Sequence, residues 1–317
     1  MADAVIFRGG GYEAKLFPEA GGALVSLTKG SVSFFLPCET VEEAKEAPTM
    51  HGIPCLFPPN RIDGGRFLFG TREYRFALTS PQKNMFSHGF LHKRAWQVTE
   101  QSESSVTVCF ENTPASGFFD EFPHPFTFSV RYDLSEDGLV QTVTLRNNGI
   151  QTMPVGLGWH TAFALPFVKG SSAENVSLEL SVGRRIRVDS RMLPNGHVTV
   201  LPPEDAGLRR SEGVSPVDRP RDDHFTNEPL IRENKPFYGG ILTDRVAGKR
   251  IVYEVDPFYR HWMVFNAKAS GSVICLEPQN WRVNAPNLGL PYEEAGLDTL
   301  PGGSVLKAVC RLRAEDI

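Results

Sequence analysis

The 317-residue chain has no apolar run approaching the length of a membrane-spanning helix. Its start, Met1-Ala2-Asp3-Ala4-Val5, lacks both the basic residues and the apolar stretch of a secretion signal, so a cytoplasmic protein with no membrane partner is expected. Positive charge is not in excess. With 33 Lys and Arg against 37 Asp and Glu, the formal net charge is −4, which leaves no basic footprint for nucleic acid. Cysteine is scarce: Cys38, Cys55, Cys109, Cys275 and Cys310 are odd in number, scattered and without CxxC spacing, which fits reduced thiols rather than a disulfide frame. Helix-forming stretches are scarce too, since 29 Gly and 24 Pro interrupt the chain about once in six residues. Only Val41 to Ala47 reads as helix.

What is abundant is alternation. In Phe126-Thr127-Phe128-Ser129-Val130-Arg131-Tyr132-Asp133 every apolar side chain falls on one face and every polar one on the other, the pattern of a half-buried strand. Val106 to Phe110, Leu139 to Leu145, Arg250 to Val255, Trp262 to Phe265 and Ser272 to Leu276 follow it, and Val305 to Arg313 is read as the strand that closes the sheet. Pro194-Asn195-Gly196 is expected to turn a hairpin between Arg187-Val188 and His197 to Val200, because Asn-Gly accepts positive φ. The Pro- and charge-rich stretch Pro202 to Pro229 is expected to be a long surface excursion. No repeat or break in composition divides the chain, so residues 1–317 read as a single all-β domain, a large antiparallel sandwich with very little helix.

Against that apolar background three short motifs carry chemistry. They are Ser87-His88-Gly89-Phe90, Gly158-Trp159-His160-Thr161-Ala162-Phe163 and Leu276-Glu277-Pro278. Two imidazoles that titrate near neutrality and one carboxylate make an acid/base set suited to moving protons on a polyhydroxy substrate. The competing reading makes each histidine a core residue satisfied by a backbone carbonyl, and Glu277 a strand-end carboxylate paired with Arg282.

Taken in order, Gly52-Ile53-Pro54, Phe57-Pro58-Pro59-Asn60-Arg61-Ile62, Gly65-Arg66-Phe67, His88-Gly89 with Trp96, Gly158 to Phe163, Asp222-Asp223-His224-Phe225-Thr226 and Glu277-Pro278 resemble the aldose 1-epimerase (galactose mutarotase) family over nearly the whole chain. The resemblance implies a β-supersandwich fold and interconversion of the α and β anomers of an aldose, with no metal and no organic cofactor. It implies that Glu277 is the base on the anomeric hydroxyl, His160 the acid at the ring oxygen, and His88 a hydrogen-bonding partner near that oxygen. Asn60 and Arg61 would contact sugar hydroxyls, Arg61 with a surface pair to Asp63 as its alternative. Asp222, or else Asp223, would accept hydrogen bonds from the ring, and Trp159 and Phe163 would offer the sugar an apolar face.

One departure stands out: many relatives carry arginine four residues after the His of His-Gly, where this chain has His92. His88 and His92 stand at i and i+4, which on a helix can hold zinc, although Gly89 and strand-like surroundings argue against a helix there. The partner is expected to be a small sugar, either a free aldose or a sugar phosphate. For the latter Lys93, Arg94, Arg61 and Arg66 are available as basic residues. A sugar-binding protein that lost turnover is a third reading, and a glycosidase would need a second carboxylate beside Glu277.

Overall fold

A computed structural model describes residues 4–317. The alternation becomes strand as expected. Phe126–Ser135 buries Phe126, Phe128, Val130, Tyr132 and Leu134 on one face and pairs rung by rung with Gly138–Asn147. These two strands belong to an eight-stranded antiparallel sheet. Its order is Gln97–Gln101, Ser105–Asn112, Phe126–Ser135, Gly138–Asn147, Val305–Asp316, Lys249–Val255, Gly239–Asp244 and Val176–Leu180. The C-terminal strand Val305–Asp316 lies in the middle of this sheet, bonded to Gly138–Asn147 on one side and Lys249–Val255 on the other. It joins strands from the first half of the chain to strands from the second half, a place between neighbours rather than at an edge.

A second eight-stranded sheet carries the chemistry. Its order is Pro194–Thr199, Val182–Val188, Asp222–Asn227, His261–Phe265, Val273–Gln279, Gly158–Trp159 and Cys55–Leu56, with Thr161–Ala164 also bonded to Val273–Gln279. The chain's first strands form a four-stranded sheet in the order Val5–Gly9, Tyr12–Phe17, Ala23–Lys29 and Val32–Ser33. Phenylalanine ties the layers together. Phe57, next to the loop that carries Asn60 and Arg61, packs edge-on against Phe122, Phe126 and Phe128 with ring centroids 5.8, 5.3 and 5.6 Å apart. The architecture is an all-β, antiparallel sandwich.

Helix is confined to short pieces. Val41–Glu46 is the expected one, started by a capping box in which Glu43 N–H donates to Thr40 Oγ1 (3.1 Å) and Thr40 N–H donates to Glu43 Oε2 (3.4 Å).

Two local expectations are corrected. Asn195-Gly196 does not turn the hairpin. The chain reverses over Asp189 to Leu193, where Asp189 Oδ1 accepts from the N–H groups of Arg191 (2.8 Å) and Leu193 (3.0 Å) and Met192 takes a positive φ. Gly196, with φ +88°, instead sits in a bulge inside Pro194–Thr199, where the register slips between Ile186 and Val188.

Pro202 to Pro229 is an excursion only as far as Arg221. Asp222–Asn227 is an interior strand of the second sheet. Its polar start hid it, because Asp222 and Asp223 put charge on both faces. Asp223 is satisfied underneath by Arg185, Arg219 and Arg221, which also bind the wholly buried Asp205. Burial alone would raise the Asp205 carboxyl, yet the surrounding guanidiniums outweigh it and hold the group below its ordinary value.

Candidate active site

Strand register sets the acid/base pair. Gly158 stands opposite Gln279 and Thr161 opposite Leu276, so His160 faces Glu277 across the two strands. His160 Nε2 lies 3.2 Å from Glu277 Oε1, with side-chain exposures of 7% and 4%. Met263 stands opposite Glu277 on the other side, and Phe265 opposite both Cys275 and Asp222. The result is a cleft of about 190 Å³ lined by His160, Glu277, His88, Asn60, Arg61 and Asp222, over a floor that includes Met263 and Phe265, with Thr49 at its side.

The loops deliver the rest. Asn60 and His88 both have positive φ (+54° and +67°), a conformation that non-glycine residues adopt at a cost when the surroundings over-determine it. His88 N–H donates to Asn60 O (2.8 Å) and Phe90 N–H to Phe57 O (2.9 Å), which locks the two bends together. Gly89, at φ +74°, is wedged against Phe57, where an added Cβ would come within 2.3 Å of the backbone. Gly89→Ala is therefore expected to cost at least about 1–3 kcal/mol through backbone strain alone and to push His88 out of place. A thermal melt unchanged from wild type contradicts it.

Arg61 Nη2 pairs with Asp222 Oδ2 at 3.1 Å, and its Nη1 donates to Asn60 Oδ1 at 3.0 Å. The alternative partners considered from sequence are engaged elsewhere: Asp63 with Arg191 (2.7 Å) and Arg282 with Glu294 (3.7 Å). Of the two aspartates it is Asp222 that reaches the cleft, while Asp223 Oδ atoms meet the arginines beneath.

Trp159 is a correction. Side chains alternate along a strand, so with His160 toward the cleft its neighbours face away. Trp159 is buried and donates from Nε1 to Tyr259 Oη (2.7 Å), and Thr161 donates to Tyr253 Oη (3.0 Å). Phe163 packs on Phe35 and Tyr253 and does not line the cleft. The apolar floor is instead Met263 and Phe265, which no motif marked. Met263 is set by the register between two strands rather than by any local pattern, and Thr49 left no signal either.

His92 lies in a single 3-10 turn, Leu91–Lys93, beyond the bend at His88, so the two do not share a helix face. Of the basic residues considered for a phosphate, only Arg61 lines the cleft; Arg94 lies over the Phe118 ring, 5.2 Å from its centroid.

Burial dominates the electrostatics. It pushes the Glu277 carboxyl up to about 8, helped by the negative charge of Asp222 and opposed by Arg61. It lowers His160 to about 3 and holds His88 well below its ordinary value, His160 and Arg61 adding to the effect on His88. His88 Nδ1, His160 Nδ1 and Glu277 Oε2 are buried with no hydrogen-bond partner among the described residues. Such groups cost stability unless a ligand or solvent meets them, which marks the cleft as a place where polar atoms are received.

A large antiparallel sandwich with a polar, histidine- and carboxylate-lined cleft at its centre is the class of molecule defined so far. The aldose 1-epimerase family model matches residues 4–296, and the chain belongs to that family. It is 30% identical to the plasmid-encoded protein LacX of Lactococcus lactis subsp. lactis over 237 residues, 71% of this chain and 72% of that one. It is 26% identical to the Escherichia coli protein YphB over 147 residues, 46% of this chain and 47% of that one, so the chain spans about half the length of that relative. Among solved structures it is similar to a galactose mutarotase-like protein from Clostridium acetobutylicum, with a TM-score of 0.95, 31% identity and coverage of 99% and 95%. The GalM/aldose epimerase homologue of C. elegans shares the fold at a TM-score of 0.80, with 16% identity and all of both chains covered.

Proposed function

We propose that this protein is an aldose 1-epimerase that interconverts the α and β anomers of a hexose by acid/base ring opening and reclosure. The observation that carries the reading is the His160–Glu277 pair, 3.2 Å apart in a cleft that also presents His88, Arg61 and Asp222. Ring opening removes the proton of the anomeric hydroxyl and adds one to the ring oxygen as the C1–O5 bond breaks. Rotation about C1–C2 presents the other face of the aldehyde, and reclosure returns both protons. Glu277 is the base at the anomeric hydroxyl and His160 the acid at the ring oxygen, with His88 beside it. The Arg61–Asp222 pair supplies a donor and an acceptor side by side, the arrangement that two neighbouring hydroxyls satisfy at once. No redox step or leaving group enters, so acid/base assistance worth roughly 10²–10⁴ per group is the whole of the demand.

The test is NMR exchange between the anomers of glucose and of galactose. Exchange well above the buffer rate with at least one of them supports the reading. A folded protein that leaves every anomeric exchange at the buffer rate sinks it in favour of a sugar-binding role.

A further inference from the structure

Proline thins the backbone's hold on His160. The register that sets Gly158 opposite Gln279 and Thr161 opposite Leu276 puts Trp159 opposite Pro278, and the one that sets Trp159 opposite Cys55 puts His160 opposite Pro54. His160 N–H donates to Pro54 O (3.0 Å), so the backbone groups of His160 face Pro54 and those of Trp159 face Pro278. Such a rung ordinarily exchanges two bonds, but proline has no N–H to return. The carbonyls of Trp159 and His160 therefore lose their ladder donors on opposite sides of the strand. Regular strand breaks there, between Gly158–Trp159 and Thr161–Ala164. The residue whose imidazole must stay 3.2 Å from Glu277 sits where two ladder bonds are missing.

Side chains make up the difference from beneath. Trp159 Nε1 donates to Tyr259 Oη (2.7 Å) and Thr161 Oγ1 to Tyr253 Oη (3.0 Å), so both neighbours of His160 are tied down. An indole N–H can only donate, which makes Tyr259 Oη the acceptor and leaves its own proton to be given onward. The two tyrosine hydroxyls meet at the thiol of Cys310. Cys310 stands opposite Val255 in the first sheet, two residues along the strand from Tyr253, while Tyr259 is fixed just beyond that strand by its N–H bond to Asp256 O (3.0 Å). The bracket thus runs from both flanks of His160 into the opposite sheet.

All five side chains of the bracket are buried, where bonds have no water to compete with and a lost partner is not replaced. Burial also pushes both tyrosines well above their ordinary value and the Cys310 thiol up to about 12, so the bracket stays protonated and uncharged through neutrality. Phenylalanine would fill the same space at either position. The hydroxyls are what packing does not require, and they are spent on the two residues that flank His160.

We propose that Tyr253 and Tyr259 are positioning residues for His160: their hydroxyls hold the interrupted strand from below and keep the imidazole on Glu277. This rests on the epimerase reading and extends it to two interior residues outside the cleft.

The experiment measures anomeric exchange on wild type, Tyr259→Phe and Tyr253→Phe, and on each variant combined with His160→Ala. Each substitution keeps the ring and removes one bond. An acid displaced by about 1 Å predicts kcat lower by roughly ten- to a hundredfold. KM should stay within about threefold, because Asn60, Arg61 and Asp222 are untouched. In the His160→Ala background the same substitutions should change the residual rate by less than about twofold, since no imidazole remains to be positioned. Unchanged kcat in both variants, a loss carried by KM, or an equal loss with and without His160 overturns the proposal. If Tyr259→Phe does not fold, Tyr253→Phe decides by the same criteria. Should wild type turn over no sugar, the epimerase reading fails by itself, and the positioning is judged by amide hydrogen exchange. Exchange of the His160 N–H at least about tenfold faster in either variant, with Val130 of the first sheet unchanged, upholds it; His160 protection equal to wild type, or a rise that Val130 shares, rejects it.

Discussion

Glu277→Gln is expected to lower kcat for anomeric exchange by about 10²–10⁴, to near the buffer rate, with the fold intact. The substitution keeps shape and removes only the ionisable group. Stability separates this chemical loss from a structural one. The Glu277 carboxyl is pushed up to about 8 by burial, above the ordinary value that it takes in the unfolded chain. Between those two values the folded protein holds a proton that the unfolded one has released, so the wild type loses stability as pH rises through that window. Glutamine does not titrate. The variant should therefore melt higher relative to wild type at pH 8 than at pH 5, while being inactive at both. A variant that melts lower than wild type by the same amount at each pH would mean that the lost activity reports damage rather than lost chemistry.

How much of this was legible beforehand depends on whether the signal was local. The strand Phe126–Ser135 was, because alternation is a property of consecutive residues and both of its faces obey it. The identities of His88, His160, Glu277, Arg61 and Asp222 were read from short motifs and a family resemblance, and the cleft gathers all five. What brings His160 onto Glu277 was not local. It is a register between strands more than a hundred residues apart, and single-residue slips would turn either side chain to the other face.

Two misreadings have separate physical causes. Trp159 was assigned to the sugar although it neighbours His160 on a strand, where consecutive side chains cannot share a face. Asp222–Asn227 was taken for loop because its charge is neutralised by Arg185, Arg219 and Arg221 arriving from elsewhere in the chain.

His160→Ala should cost a similar factor of about 10²–10⁴, and it should also reverse the pH profile. With Glu277 raised to about 8 and His160 lowered to about 3, the wild-type pair holds one proton across the whole range between. In the free protein that proton rests on the carboxyl. Its transfer over 3.2 Å to the imidazole produces the carboxylate base and imidazolium acid that ring opening needs. The transfer changes no proton count, so kcat/KM, after subtraction of the buffer rate, should be flat through neutrality. Above about pH 8 the shared proton leaves, the base remains but the acid is gone, and kcat/KM should fall. In His160→Ala only the carboxyl titrates, so the residual activity should rise with pH as Glu277 ionises. A wild-type profile that already climbs through pH 8 would show the carboxylate acting beside a neutral His160, and would remove His160 from the acid role.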